Sequence, residues 1–157
     1  MWPSPNGFGV GDDAAQRYLL TRMRQEWLNA SGFILLTIFS PWWWSRQAGQ
    51  KIMLNKLAHV PTSVDNYRWR DYDPVHNRFY EYWQPVDGSH HVVCQHYRCY
   101  APADFHLLLE GTGLSVEYWK VDYQQIDTDQ AAHDTQHPLW HDSEYLVKLV
   151  SSWDVAP

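Results

Sequence analysis

The sequence predicts one α/β domain over residues 1–157, and three patterns support this prediction. An amphipathic helical pattern leads into a continuous apolar run, a strand–helix–strand pattern follows in the second half, and an apolar run ends the chain. Hydrophobic residues make up 45% of the sequence and charged residues 19%, which is a globular composition. One core of ordinary size is therefore expected.

The first helix is predicted from about Ala14 to Leu28. Asp12 or Asp13 can cap its N-terminus, and Gly32 suits a left-handed turn after its last residues. The apolar run from Phe33 to Phe39 is rich in β-forming residues and lacks polar alternation. Such a run predicts a strand that is covered on both faces, as in a parallel sheet.

The middle of the chain is less regular. The strand ends at Ser40-Pro41, a second helix is predicted from about Gln47 to Leu57, and residues 61–74 are expected to be irregular and polar. Asp87 and Gly88 then predict the turn of an antiparallel hairpin. The remaining predicted elements are the hairpin strands 78–83 and 91–100, a helix opening at Pro102, strands 114–121 and 145–150, and a polar loop over 122–142.

Composition and charge exclude several classes of partner. The net charge of −6 argues against nucleic acid, and no run of apolar residues is long enough to span a membrane. No signal peptide is predicted, so the expected location is the cytoplasm. Cys94 and Cys99 are expected to be reduced, because an odd separation on one strand points the two side chains to opposite faces.

Four segments resemble landmarks of the class I S-adenosylmethionine-dependent methyltransferases. The segment from Leu28 to Gly32 is similar to the Leu-x-Pro-Gly-Gly-type turn that enters the fifth strand of that family, although Ala30 and Ser31 replace the usual proline and first glycine. The other three are Asn6–Asp13, similar to the loop after the fourth strand, Arg98–Val116, similar to the late helix and the next strand, and Tyr145–Val150, similar to the last strand.

The resemblance implies a partial Rossmann-like methyltransferase sheet made of late strands, with helices and an added antiparallel β-hairpin. It also implies S-adenosylmethionine as cofactor, with Asn6 and Phe8 at the cofactor's edge; a plain turn is the alternative for both residues. The Gly-rich turn that follows the first strand in that family has no counterpart here, since only six residues precede Gly7. A second chain or a second copy is therefore expected to complete the cofactor site and to cover the open edge of the strand at 33–39.

Six residues are predicted to bind a small-molecule substrate. Four of them lie just beyond the carboxyl end of the apolar strand, where ligands of open α/β sheets bind, and their aromatic rings could wall a flat or cationic substrate. The alternatives are ordinary ring packing and, for the arginine, a structural ion pair. The six residues are Ser40, Trp42, Trp43, Trp44, Arg98 and Tyr100.

No catalytic residue is assigned from the sequence. His133, His137 and His141 recur every four residues, but Pro138 interrupts the helix that a zinc site would need, so no metal is expected. Two functions remain: the substrate-side half of a split or truncated methyltransferase that acts on a small molecule, or a methyltransferase-like binding or regulatory subunit without activity. A truncated product of a longer gene is a third reading.

Overall fold

The computed structural model describes residues 8–54, 66–88 and 91–152. Within these ranges the helices are α1 (Asp13–Arg22), α2 (Pro41–Arg46) and α3 (Pro102–Leu109), with a π-helical turn at Met23–Trp27 and 3₁₀ turns at Gln130–Ala132 and Pro138–Trp140. The strands are β1 (Ile34–Phe39), β2 (Lys51–Leu54), β3 (Asn66–Asp73), β4 (Arg78–Pro85), β5 (Val93–Arg98), β6 (Leu114–Val121), β7 (Gln124–Ile126) and β8 (Glu144–Ser151).

Four of these strands form a sheet in the order β1-β8-β6-β7, which we call the core sheet. All of its pairs are antiparallel. Helices α1 and α3 pack on one of its faces, where Leu20 and Phe105 are fully buried against Leu36 and Val147. The larger of the two clusters of buried apolar residues lies on this face. Burial of one such side chain contributes about 1.5–3 kcal/mol.

Strand β1 departs from its prediction. Its burial alternates, with Leu36 1% exposed and Leu35 40% exposed, and it pairs with β8 in antiparallel register. The prediction of a strand covered on both faces is therefore wrong for the described residues, in which helices cover one face only. The sequence does not show which face is exposed, because Leu35 is as apolar as its buried neighbours in the run.

The first helix forms as predicted, but its end differs. The Asp12 side chain accepts a hydrogen bond from the Ala15 amide at 2.8 Å and caps α1, and the regular helix passes into the π-helical turn at Met23–Trp27. Gly32 does not adopt a left-handed conformation. A Cβ there would lie 2.7 Å from the Leu28 side chain and 2.9 Å from the Asn29 side chain, so these side chains would have to shift to admit a larger residue.

The other four strands form an antiparallel sheet in the order β2-β3-β4-β5, which we call the added sheet. The predicted hairpin is present as β4 and β5, with Gly88 at a φ of 68° in the turn that follows β4. Two predictions are wrong within the described residues: residues 47–54 are not a helix, and residues 66–73 form a strand and are not irregular. The remaining parts of these two predictions, residues 55–57 and 61–65, lie outside the described residues. The chain instead places α2 directly after β1, because Ser40 caps it and Pro41 suits its first position.

The two sheets meet through a small aromatic cluster. Trp44 stacks on Phe79 with ring centroids 3.8 Å apart, and Phe39 packs edge-on against both rings. Tyr97 and the buried Cys99 complete the cluster, and burial raises the pKa of the Cys99 thiol to about 12. This cluster fixes the added sheet over the carboxyl end of β1. None of the described helices is long and apolar enough to cross a membrane.

Candidate functional site

The three consecutive tryptophans of α2 point in three directions. Successive residues of a helix are rotated by about 100°, so Trp42, Trp43 and Trp44 cannot share one face. Trp44 is buried in the cluster between the sheets and donates its indole hydrogen to the Ser143 carbonyl at 3.0 Å. Trp42 and Trp43 remain half-buried on opposite sides of it, and each borders a different surface.

Trp42 borders an apolar groove of about 320 Å³. Its ring packs edge-on against Trp140 at 4.5 Å, and the indole of Trp140 is held by the carbonyls of Ala131 and Asp134, each at 3.0 Å. Pro102 and Leu139 add apolar walls, and the polar side chains at the rim belong to His106, Thr128 and Asp129. A mostly apolar groove with few polar groups is typical of small-molecule sites, and this volume lies at the lower end of their range.

Trp43 borders a charged surface under the added sheet. The Arg70 guanidinium lies 5.6 Å from the centre of the Trp43 ring and 5.0 Å from that of Trp44. The same guanidinium donates through Nε to Glu81 Oε1 at 2.8 Å, and Glu81 is only 6% exposed. Arg68 lies 3.5 Å from the same oxygen, so two cations share one buried carboxylate.

Arg98 and Tyr100 belong to a network that attaches the loop before α1 to the added sheet. The Asp13 carboxylate accepts from Arg98 Nε at 3.1 Å and from the Tyr100 hydroxyl at 2.9 Å. Arg78 donates to the carbonyls of Gly9, Val10 and Gly11 in that loop. Burial, followed by the Asp13 charge, raises the pKa of Tyr100, which keeps its hydroxyl protonated as a donor.

The structure gives most of the predicted substrate residues a structural role. Ser40 is fully buried and accepts a hydrogen bond from the Trp43 amide at 3.3 Å, and Tyr100 is 1% exposed. Arg98 makes the ion pair that was its alternative interpretation. Trp42 and Trp43 retain accessible ring surface beside a groove and a charged surface. The substrate contacts at these six positions stay predictions.

Of the two predicted cofactor contacts, only Phe8 lies within the described residues. Asn6 lies outside the described residues. Phe8 is 2% exposed, and its ring packs against Tyr100 at 5.9 Å and Phe105 at 6.0 Å. Its side chain belongs to the core, and the contact of this residue with S-adenosylmethionine stays a prediction.

The three spaced histidines flank the two 3₁₀ turns and do not lie along one helix. His137 is buried and its Nδ1 accepts from the Leu139 amide at 3.3 Å, while His141 Nε2 is 2.9 Å from the Thr135 carbonyl. Over residues 8–54, 66–88 and 91–152, no group of three or more His, Cys, Asp or Glu side chains is arranged to hold a metal ion.

Sequence reasoning missed Arg68, Arg70 and Glu81. A signal existed, because Arg68 and Arg70 alternate with aromatic residues at the period of a strand. The prediction of an irregular segment over 61–74 overlooks this alternation, which belongs to strand β3. Trp140 was also missed, since its partner Trp42 lies 98 positions away, and such a distant pairing leaves no local pattern.

Two methyltransferases are among the solved structures that share this fold. The CcbJ methyltransferase from Streptomyces caelestis aligns with a TM-score of 0.62 and 13% sequence identity, covering 92% of this chain and 53% of that one. An S-adenosylmethionine-dependent methyltransferase from Clostridium acetobutylicum ATCC 824 aligns with a TM-score of 0.64 and 11% identity, covering 96% of this chain and 55% of that one.

At these identities the likeness shows the fold, and it confirms the predicted partial Rossmann-like methyltransferase architecture. The chain spans about half the length of the two structures it matches. No protein-family model matches the chain, and no curated protein matches it.

Proposed function

We propose that this chain supplies the substrate-side part of an S-adenosylmethionine-dependent methyltransferase that acts on a small molecule. The observation that carries the proposal is the fold match to two methyltransferases over about half of their length. Methyl transfer needs a donor and an acceptor held in line, and not a covalent protein nucleophile. The absence of an assigned nucleophile is compatible with this chemistry.

The open edge of the core sheet supports the need for a second chain. Strand β1 ends the order β1-β8-β6-β7, so one of its edges has no partner strand within the described residues. Phe33 and Leu35 are 53% and 40% exposed beside this edge. We infer that another polypeptide, or a second copy of this one, covers the edge and supplies the Gly-rich cofactor site.

The alternative is a methyltransferase-like binding or regulatory subunit without activity. It is favoured by the burial of Phe8, Ser40, Trp44 and Tyr100, since these residues hold the core and leave few predicted site residues open to a ligand. Under this alternative the accessible rings of Trp42 and Trp43 bind a ligand or partner that is not methylated.

A reconstitution assay distinguishes the two. The chain is tested alone for self-association and together with any polypeptide encoded next to it that carries a Gly-rich first half, and S-adenosylhomocysteine formation is followed with phenols, carboxylic acids and amines. Trp43→Ala is expected to lower turnover at least about tenfold, because it removes one wall of the acceptor site.

Trp27→Ala is the matched control, because Trp27 is 65% exposed on the π-helical turn and lies outside both candidate surfaces. Equal turnover in Trp43→Ala and wild type would reject the site assignment. Ligand binding without any methyl transfer in every combination would support the inactive subunit.

A further inference from the structure

One face of the added sheet carries Arg68, Arg70 and Glu81, and we call it the underside. The hydrogen bonding of Arg68 on this face is incomplete. Arg68 Nε is buried and has no hydrogen-bond partner among the described residues, although it lies 3.5 Å from Glu81 Oε1. Buried donors are nearly always paired with a protein group, a water or a ligand, so this guanidinium nitrogen is open to an acceptor from outside the described residues.

Arg70 does not share this deficiency. Its Nε donates to Glu81 Oε1 at 2.8 Å, its backbone amide donates to the Gln50 carbonyl at 3.1 Å, and its guanidinium lies against two tryptophan rings. Glu81 is therefore hydrogen-bonded to Arg70, and Arg68 reaches the same oxygen only at ion-pair distance. Within the described residues, the pair of arginines exceeds the charge of Glu81 by one positive unit, and that excess lies on Arg68.

The surroundings of Arg68 suit a ligand with a flat apolar part. Arg68 lies directly opposite Trp83 in the β3–β4 register and opposite Ile52 in the β2–β3 register, so the three side chains share one face of the sheet. Trp83 and Trp43 are half-buried, and the Arg68 side chain is 26% exposed. Part of the Arg68 side chain can thus be reached from solvent, although its Nε is buried.

We propose that Arg68 binds the carboxylate or phosphate of a small aromatic ligand on the underside of the added sheet, next to Trp43 and Trp83. A guanidinium is a planar fork that pairs with two oxygens of such an anion, and it is weakly hydrated compared with an ammonium group. The identification of this ligand as the methyl acceptor rests on the proposed function. The binding site itself does not depend on methyl transfer.

The test measures binding to the purified chain without any cofactor. Benzoate, phenyl phosphate, inorganic phosphate and the neutral benzyl alcohol are each titrated by calorimetry, together with tryptophan fluorescence. We expect benzoate or phenyl phosphate to bind more tightly than both benzyl alcohol and inorganic phosphate. The tighter of the two aromatic anions identifies the acidic group.

Arg68→Gln is expected to weaken this binding at least about tenfold, because a charge-assisted pair is lost. Arg68→Lys keeps the charge but loses the planar fork, so its affinity is expected to lie between those of wild type and Arg68→Gln. Arg24→Gln is the matched control, since Arg24 Nε is also buried without a partner but lies in the π-helical turn. A melting curve for each variant checks that the fold is retained.

Three results would overturn the proposal: no binding of either aromatic anion by wild type, equal binding of benzyl alcohol, or an equal loss in Arg68→Gln and Arg24→Gln. Arg68-dependent binding without methyl transfer in the reconstituted enzyme would reject only the acceptor role. The failure of the site and the failure of the proposed function are therefore separate outcomes.

Discussion

The two sheets of this protein are stabilised in different ways. The core sheet buries aliphatic and aromatic side chains under α1 and α3. An ion pair between Lys148 and Glu117 lies on its open face. The added sheet packs on the five-residue cluster that it shares with β1 and α2, and it places Glu81 between two arginines. The first arrangement is typical of a scaffold, and the second places charge where a ligand can meet it.

The comparison also explains the position of α2. Its N-terminus is attached to the core sheet, where the Ser40 amide donates to the Ser143 carbonyl. After its last turn, the Gly49 amide donates to the Arg70 carbonyl of β3. Trp42 faces the groove above the core sheet, and Trp43 faces the charge under the added sheet. One short helix thus borders both candidate surfaces.

The largest expected effect is in the core sheet. Leu36→Ala should lower the free energy of unfolding by about 2–5 kcal/mol, because a fully buried side chain is replaced by a cavity. Leu35→Ala, its neighbour on the open face, should cost less than about 1 kcal/mol. Urea unfolding measures both. A similar loss in the two variants would contradict the one-sided burial of β1.

A smaller effect is expected in the added sheet. Glu81→Gln should cost about 1–3 kcal/mol, because two guanidiniums lose the carboxylate they share. The matched variant is Glu117→Gln, which removes the exposed partner of Lys148 and should cost less than about 1 kcal/mol. If both substitutions proved equally mild in chemical denaturation, the charge under the added sheet would have no special role.

The smallest effect concerns Asp13, which joins the two parts through Arg98 and Tyr100. Burial acts to raise the pKa of Asp13, but its hydrogen bonds to Arg98 and Tyr100 lower this pKa below the ordinary 3.8. The resulting stability is therefore present above pH 3.8 and is lost as the pH falls through the lower folded-state pKa.

Asp13→Asn removes this contribution. The carboxylate is half exposed, so the loss at neutral pH should stay below about 1 kcal/mol. Unfolding measured at neutral pH and again near pH 3 should show the gap between wild type and variant closing in acid. A gap that stays constant or widens would mean that Asp13 does not stabilise the fold through its charge.

The sequence revealed the core sheet better than the added sheet. Helical periodicity before β1 and the strand–helix–strand pattern around α3 are local signals, and both elements formed where they were expected. Strand β2 has four residues, and β3 carries its aromatic residues between charged ones, so the local signals of both strands are weaker than the apolar run of β1. The site was harder still, since Arg68 and Glu81 meet only after β3 and β4 align.

The central claim is that this chain is the substrate-side part of a methyltransferase and lacks a complete cofactor site alone. Its most direct test is a calorimetric titration of S-adenosylmethionine into the chain alone and into the chain combined with a methyltransferase polypeptide that carries the Gly-rich turn. The account predicts that S-adenosylmethionine binds the combined chains with one-to-one stoichiometry. It predicts binding to the chain alone only where the chain self-associates. No heat under any of these conditions would contradict it.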